Sequence, residues 1–468
     1  MMKINAEKTF LLNHAIMAIP GLRRCAGIAA ALLFALSAIA PCAQAAARTI
    51  TFEQAVDIAL ERNLSLLLAD NQRELNDISV SDARWRFFPD LRFSLSRSLS
   101  ADKSQTDGGS SDWSTGTSMS AGLSSGITLF NGFANVSSLR QARFEQAAGE
   151  LNYERARQTT VFQIISDYLA LIEATEQERV RRENLAAQEE QIEKVRALVD
   201  EGERPINELY QQEANVASAR LALVEAQRTL ELSRVDLIQT LHLDPLAEIE
   251  FIIPPTGALE PGGEPQPYAD LMETASHVRA DLAAEVNYLA ADKEQLTQAK
   301  ADRWPTLSLS GSFSSRYSDS QTGGLFTQFD ERQSAGLGLS LSYPLFNRMQ
   351  TRHAIQRAKI ALKNAEIGMD GLRQDVALQI RRAVLDRDAA RESMKAATAR
   401  VTAAREALTY INERYLAGAS TLFEVTLAQA ELISAESGEV STRYRLLWQN
   451  RLVDYYVGTL DPDAGLGN

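Results

Sequence analysis

One offset, 216 residues, governs this 468-residue chain. Phe88-Pro89 recurs as Trp304-Pro305, Leu129-Phe130-Asn131 recurs unchanged as Leu345-Phe346-Asn347, and Gly202 returns as Gly418. The run 52–59, FEQAVDIA, matches 268–275, YADLMETA, in character at the same offset. Landmarks spread this widely in one register mark a duplicated unit. Whatever a unit folds into, the chain makes it twice. The reading is a first repeat over 46–253, a Pro/Gly-rich connector over 254–267 and a second repeat over 268–468.

Each copy opens on a short helix that ends before Phe88-Pro89 or Trp304-Pro305, because the residue before proline avoids the helical region. An alternating stretch follows, with Leu91, Phe93 and Leu95 set against Arg92, Ser94 and Ser96. Period-2 alternation marks a strand with one apolar face. The predicted strands are about 91–100 and 116–130 in the first copy, around a polar tip at 101–115. In the second they are about 306–316 and 334–346. The polar face is mostly serine. Alternation of apolar and small polar residues over roughly 10-residue strands fits a transmembrane β-barrel; a soluble surface hairpin is the plainer alternative.

A long helical hairpin completes each copy, over about 133–243 and 348–460. From 133 to 199 there is no proline and one glycine, Gly149. Leu185, Gln188, Ile192, Val195 and Val199 fall at 3/4 spacing, and so do Val401, Ala404, Leu408, Ile411 and Tyr415, which is a coiled-coil seam. At about 1.5 Å per residue such a helix reaches roughly 100 Å. Gly202-Glu203-Arg204-Pro205 and Gly418-Ala419-Ser420-Thr421 break the hairpins.

The N-terminus reads as a secretory leader over 1–45: Arg23 and Arg24, an apolar run to Ala40, then Ala43-Gln44-Ala45 as an A-x-A exit. Its long first part allows a start at Met17. Pro41 before Cys42 argues against lipidation. Both cysteines, Cys25 and Cys42, fall in the leader, so the exported chain is held by packing rather than disulfides. Losing Lys3, Lys8, Arg23, Arg24 and Glu7 takes the net charge from −13 to −16. That balance speaks against nucleic acid as a partner. No later run of 18 apolar residues predicts a transmembrane helix. The four histidines are scattered and no Gly-Lys-Ser/Thr loop is present, so neither a metal, a cofactor nor a catalytic centre is expected.

Four strands cannot close a barrel, and open edges are not tolerated in lipid. Three protomers would supply twelve strands and twelve long helices, a closed barrel continuing into a helical tube. Aromatics gather at the strand ends, where interface girdles belong. Phe87, Phe88, Phe130, Trp304, Tyr343 and Phe346 lie near the helices, and Trp113, Phe326 and Phe329 near the tips.

With the duplication, the two Leu-Phe-Asn strand ends and the stretch YLAGASTLFEV at 415–425 followed by Ala428-Gln429, the exported chain resembles the TolC outer-membrane efflux family over essentially its whole length. The resemblance implies a homotrimeric exit duct in the outer membrane of a Gram-negative bacterium, with an α-helical tunnel across the periplasm closed at its inner tip. It implies as partners a periplasmic adaptor and an inner-membrane pump of the RND or ABC type, in tripartite efflux or type I secretion.

The same resemblance assigns roles at the helical turns. The family's first acidic gate position falls on Glu424; the second falls on Leu427, so a double acidic ring and strong divalent-cation blocking are not expected. Glu208 holds the place of Glu424 in the first copy. The family's tip lock sets a tyrosine and an arginine of the second copy against an acid of the first. Tyr415 and Glu208 match the tyrosine and the acid, while the arginine position is Ser420. Arg204 holds that place in the first copy; one expectation is that it supplies the charged half of the lock by pairing with Glu424, and the alternative is a solvated turn residue. The turns, carrying Gly202, Glu203, Pro205, Gly418, Ala419, Ser420 and Thr421, are the expected adaptor-docking sites. The competing readings are a periplasmic adaptor, which carries one hairpin and not two, and a structural coiled-coil envelope protein, which would not need serine-alternating strands.

Overall fold

The computed structural model describes residues 48–105, 111–246, 249–253 and 266–460. The leader at 1–45, with Met17, Cys25 and Cys42, and residues 254–265 of the connector expected at 254–267 lie outside the described residues. In chain order the elements are β1 (Arg48–Ile50), α1 (Phe52–Arg62), α2 (Leu64–Trp85), β2 (Arg92–Gln105), β3 (Ser111–Asn131), α3 (Ala134–Asp200), α4 (Ile206–Thr240), β4 (Ile249–Phe251), α5 (Tyr268–Val278), α6 (Ala280–Ala301), β5 (Thr306–Ser318), α7 (Leu325–Glu331), β6 (Gln333–Ser342), α8 (Gln350–Leu416) and α9 (Leu422–Val457).

The chain divides into two compact units. In the smaller, β1 and β4 run parallel with Thr49 opposite Glu250. The larger unit carries everything from Thr51 to Pro245 and from Ile253 onward.

In that larger unit the duplication is visible helix by helix. α1 and α5 have 11 residues each, α2 and α6 have 22, and α3 and α8 have 67, every pair offset by 216. Left-handed backbone recurs at the same offset: Gly132 and Phe133 as Arg348 and Met349, Gly202 as Gly418, and His242 as Gly458.

The single opening helix expected for each copy is in fact two. Asn63 ends α1 and caps α2, its side chain accepting the N–H groups of Ser65 and Leu66 at 3.0 and 3.2 Å. Arg279 stands at the same break in the second copy. It is buried, and its guanidinium donates to Asp281 at 2.6 and 2.8 Å and to the Tyr456 carbonyl at 2.8 Å. Where α2 packs on α3, a Cβ on Gly149 would meet the amide tip of Asn76. Apolar residues of α5, α6, α8 and α9 close a common core around Leu271, Leu282, Ile380 and Val453. Each such side chain, fully buried, contributes about 1.5–3 kcal/mol.

The four long strands form one antiparallel sheet in the order β2-β3-β5-β6. Its register sorts the side chains by chemistry. Phe93, Leu123, Phe313 and Ala335 stand in one row, and Ile127, Leu309 and Leu339 in another. Rows of the other parity hold Ser94, Gly122, Ser314 and Ser334, and Gly126, Ser310 and Gly338. One face is therefore apolar and the other is serine and glycine. Hydroxyl pairs tie the polar face across strands, Ser96 to Ser120 and Ser98 to Ser118 at 2.8 Å, Ser314 to Ser334 at 2.9 Å. β2 and β6 are each paired on one side only.

Three details depart from the sequence reading. β2 and β3, with 14 and 21 residues, run into the tip expected at 101–115. β6 stops at Ser342, short of Leu345-Phe346, because Pro344 has no N–H to continue the ladder. The second tip carries the unforeseen helix α7. Gln328 anchors it, its amide donating to the carbonyls of Ser318, Gln321 and Gly323 at 2.9–3.2 Å. Among the described residues no helix is long and apolar enough to cross a membrane.

Candidate functional site

The two helical turns begin alike. After α3, Gly202 takes φ 77° and Glu203 N–H donates to the Leu198 carbonyl at 2.9 Å. After α8, Gly418 takes φ 72° and Ala419 N–H donates to the Arg414 carbonyl at 2.8 Å. Both close the last carbonyls of a long helix through a left-handed residue, which glycine adopts at little cost. A Cβ would meet nothing within 4 Å at either glycine, so it is the backbone angle that requires them.

From the third residue on, the turns diverge. In the second copy Thr421 and Glu424 form a capping box: Glu424 N–H donates to Thr421 Oγ1 at 3.3 Å, and Thr421 N–H donates to Glu424 Oε2 at 2.9 Å. The Ser420 hydroxyl also donates to that carboxylate. These two groups, Ser420 foremost, hold the Glu424 carboxyl below the usual range. In the first copy the N-cap is Pro205, which offers no side-chain oxygen. Arg204 and Glu208 are left free to reach elsewhere.

They reach the other copy. Tyr415 Oη donates to Glu208 Oε2 at 3.0 Å, and Arg204 Nη2 donates to the Tyr415 carbonyl at 3.0 Å. The guanidinium carbon lies 4.4 Å from the Tyr415 ring centroid, and Nη1 lies 3.8 Å from Glu208 Oε1. The triad is a cation over an aromatic face with a carboxylate accepting from its hydroxyl. Tyr415 is almost fully buried among Val195, Leu422 and Val425. Burial, with Glu208 added, pushes its hydroxyl up to about 12.

The expected pairing of Arg204 with Glu424 is not made within the chain. Arg204 lies one helical turn before Glu208 and pairs there, while the Glu424 carboxylate is taken up by its own turn. The structure thus joins Arg204, Glu208 and Tyr415 and leaves Glu424 apart, with Leu427 exposed one turn on.

A second cross-copy contact lies deeper and was not foreseen. Asn215 Nδ2 donates to Thr426 Oγ1 at 3.2 Å and to Gln212 Oε1 at 3.2 Å, and buried Gln212 donates to Gln188 Oε1 at 2.7 Å. The signal was present: Gln188 is the one polar member of its seam, and a buried amide needs a partner. At the turn itself Arg414 donates to the Ala419 carbonyl at 2.8 Å.

A duplicated unit, a two-faced sheet and paired 67-residue helices ending on matched turns meet in one family. The model described as "Outer membrane efflux protein" matches residues 55–241 and 271–456, one copy of it on each repeat. The chain belongs to the outer membrane efflux protein family. Among its relatives, the outer membrane efflux protein BepC of Brucella suis is 25% identical over 329 residues, 70% of this chain and 69% of BepC. Protein CyaE of Bordetella pertussis is 26% identical over 397 residues, 83% and 79%. In fold, the outer membrane protein VceC of Vibrio cholerae superposes with a TM-score of 0.74 at 19% identity, over 87% of this chain and 96% of that one. The family places the protein in the outer membrane and gives it a part in efflux; it is a transport family and not an enzyme family.

Proposed function

We propose that three copies of this chain close a twelve-strand barrel in the outer membrane and a twelve-helix tunnel beneath it, making the exit duct of a tripartite efflux or type I secretion system. One observation carries this reading: a four-stranded sheet with an apolar face, a serine face and an unpaired edge on β2 and on β6. In lipid such edges must be paired, and pairing with further copies is the closed solution. Exposed apolar residues on the long helices, such as Leu221, Val224, Ile360 and Ile367, would then be covered between protomers.

Arg204, Glu208 and Tyr415 form the periplasmic gate in this reading, drawing the turns of the two hairpins together. The Glu424 carboxylate, depressed and exposed, supplies one acidic ring that favours cations. The turns at 202–205 and 418–421 dock a periplasmic adaptor, which links the duct to an RND or ABC pump. Export directed by the leader at 1–45, with cleavage after Ala45, belongs to the same proposal.

The test uses the absence of cysteine after residue 42. A chain carrying Ser94→Cys on β2 and Gly338→Cys on β6, with neighbouring pairs to scan register, should cross-link into covalent dimers and trimers in outer-membrane fractions. A monomer in the periplasmic fraction, with no cross-link at any register, would refute the duct.

A further inference from the structure

Below the apolar face of the sheet, at its helix end, lies a cleft of about 690 Å³. Lys300 and Arg303 at the end of α6, Trp304 and Pro305 entering β5, and Leu341 and Tyr343 from the end of β6 line it. Leu341 shares the apolar parity of Leu337 and Leu339, and all three are exposed, as are Trp304 and Tyr343. Lys300 and Arg303 are exposed, and neither has an ion-pair partner among the described residues.

We infer that this cleft binds an acidic glycerophospholipid of the periplasmic leaflet, the phosphodiester between Lys300 and Arg303 and the acyl chains against Trp304, Leu341 and Tyr343. The inference rests on the barrel reading above and adds a ligand and a site to it. Three features favour this occupant. Two unpaired cations beside an apolar wall match a phosphate joined to hydrocarbon. Trp and Tyr are the side chains that sit at a head-group level, with an apolar body and a polar tip. Leu341 also lies on the apolar face of the sheet, whereas a further copy pairing with β6 would join in the sheet plane and leave that face to lipid.

The first copy carries a related arrangement independently. Arg84 and Arg86 flank exposed Trp85 and precede Phe88, the counterpart of Trp304. There, however, Arg86 Nη1 donates to Ser138 Oγ at 3.3 Å. The second copy, with both cations unpaired, is the better phosphate site.

The full-length protein would be purified as the assembly that conducts. It would then be reconstituted in phosphatidylcholine vesicles containing equal fractions of brominated-acyl phosphatidylglycerol or brominated-acyl phosphatidylcholine. Bromine quenches tryptophan on contact, and the difference between the native chain and Trp304→Phe isolates Trp304. Phosphatidylglycerol should quench that component several-fold more effectively, on the order of fivefold per cation engaged. The Lys300→Gln/Arg303→Gln double variant, checked for unchanged assembly and conductance, should lose the preference. Equal quenching by the two lipids would mean ordinary annular contact and overturn the site, leaving the barrel intact. A preference that survives the double variant would overturn it as well. Quenching by neither lipid would overturn the barrel reading together with the site.

Discussion

Residues 204 and 208 in the first copy correspond to 420 and 424 in the second, yet the two pairs do opposite work. Ser420 and Glu424 are satisfied inside their own turn, where Thr421 completes a capping box. Arg204 and Glu208, beside an N-cap proline, are spent on Tyr415 of the other copy. Duplication supplied two equivalent carboxylates, and three differences between the copies, Pro205 for Thr421, Arg204 for Ser420 and Val199 for Tyr415, go with one becoming a bridge and the other a local cap.

Tyr415→Ala breaks this comparison most severely: it removes a buried ring, its hydroxyl bond to Glu208 and its face under Arg204, while the backbone carbonyl that Arg204 reaches remains. Aromatic-to-alanine changes in a core cost about 3–5 kcal/mol, and thermal unfolding of the helical part should fall accordingly. Tyr415→Phe is finer. It keeps the ring under Arg204 and deletes only the hydroxyl, leaving Glu208 short of a donor at a cost of about 1–3 kcal/mol. Its mark should be a raised channel conductance with the trimer retained. Thr421→Ala removes the second turn's cap, worth about 1 kcal/mol, and should lower stability while leaving conductance where it was. Asn215→Ala, which deletes the deeper contact to Thr426, should destabilise by about 0.5–1.5 kcal/mol, and a double-mutant cycle with Tyr415→Phe would measure whether the two bridges are coupled.

Much of this was legible in the sequence because the repeat repeats its punctuation. Glycine before each turn, proline before the first long strand of each copy and the Leu-Phe-Asn motifs gave the element order without any contact being known. The break at Asn63 was readable in principle, as an N-cap residue ahead of an apolar run. Its counterpart Arg279 was not, since a buried guanidinium tied to Asp281 leaves no local pattern. Tyr415 and Glu208 could be named from the family resemblance, and Arg204 from its place in the repeat. Their pairing could not: spacing puts Arg204 within reach of several carboxylates, and only the capping box shows that Glu424 is already occupied.

Titration separates the two turns again. The Tyr415 hydroxyl is raised to about 12 from an ordinary value near 10. Its contribution is therefore complete below about pH 10 and is lost as pH rises through about 12. Glu424 is depressed, so its contribution is present above the ordinary carboxylate range and is lost as pH falls through its lowered value. Unfolding followed between pH 7 and 9.5 should show neither effect. On the acid side, Glu424→Gln should remove only the part of the loss that Glu424 carries, while Asp281 and Glu190, also held low, keep theirs.

The bridge, and not the acidic cap, holds the turns together. Single-channel recording of Glu208→Gln beside Glu424→Gln tests this. Glu208→Gln should raise conductance with cation preference kept, and Glu424→Gln should reduce cation preference with conductance nearly unchanged. Opening by Glu424→Gln with Glu208→Gln silent would contradict it.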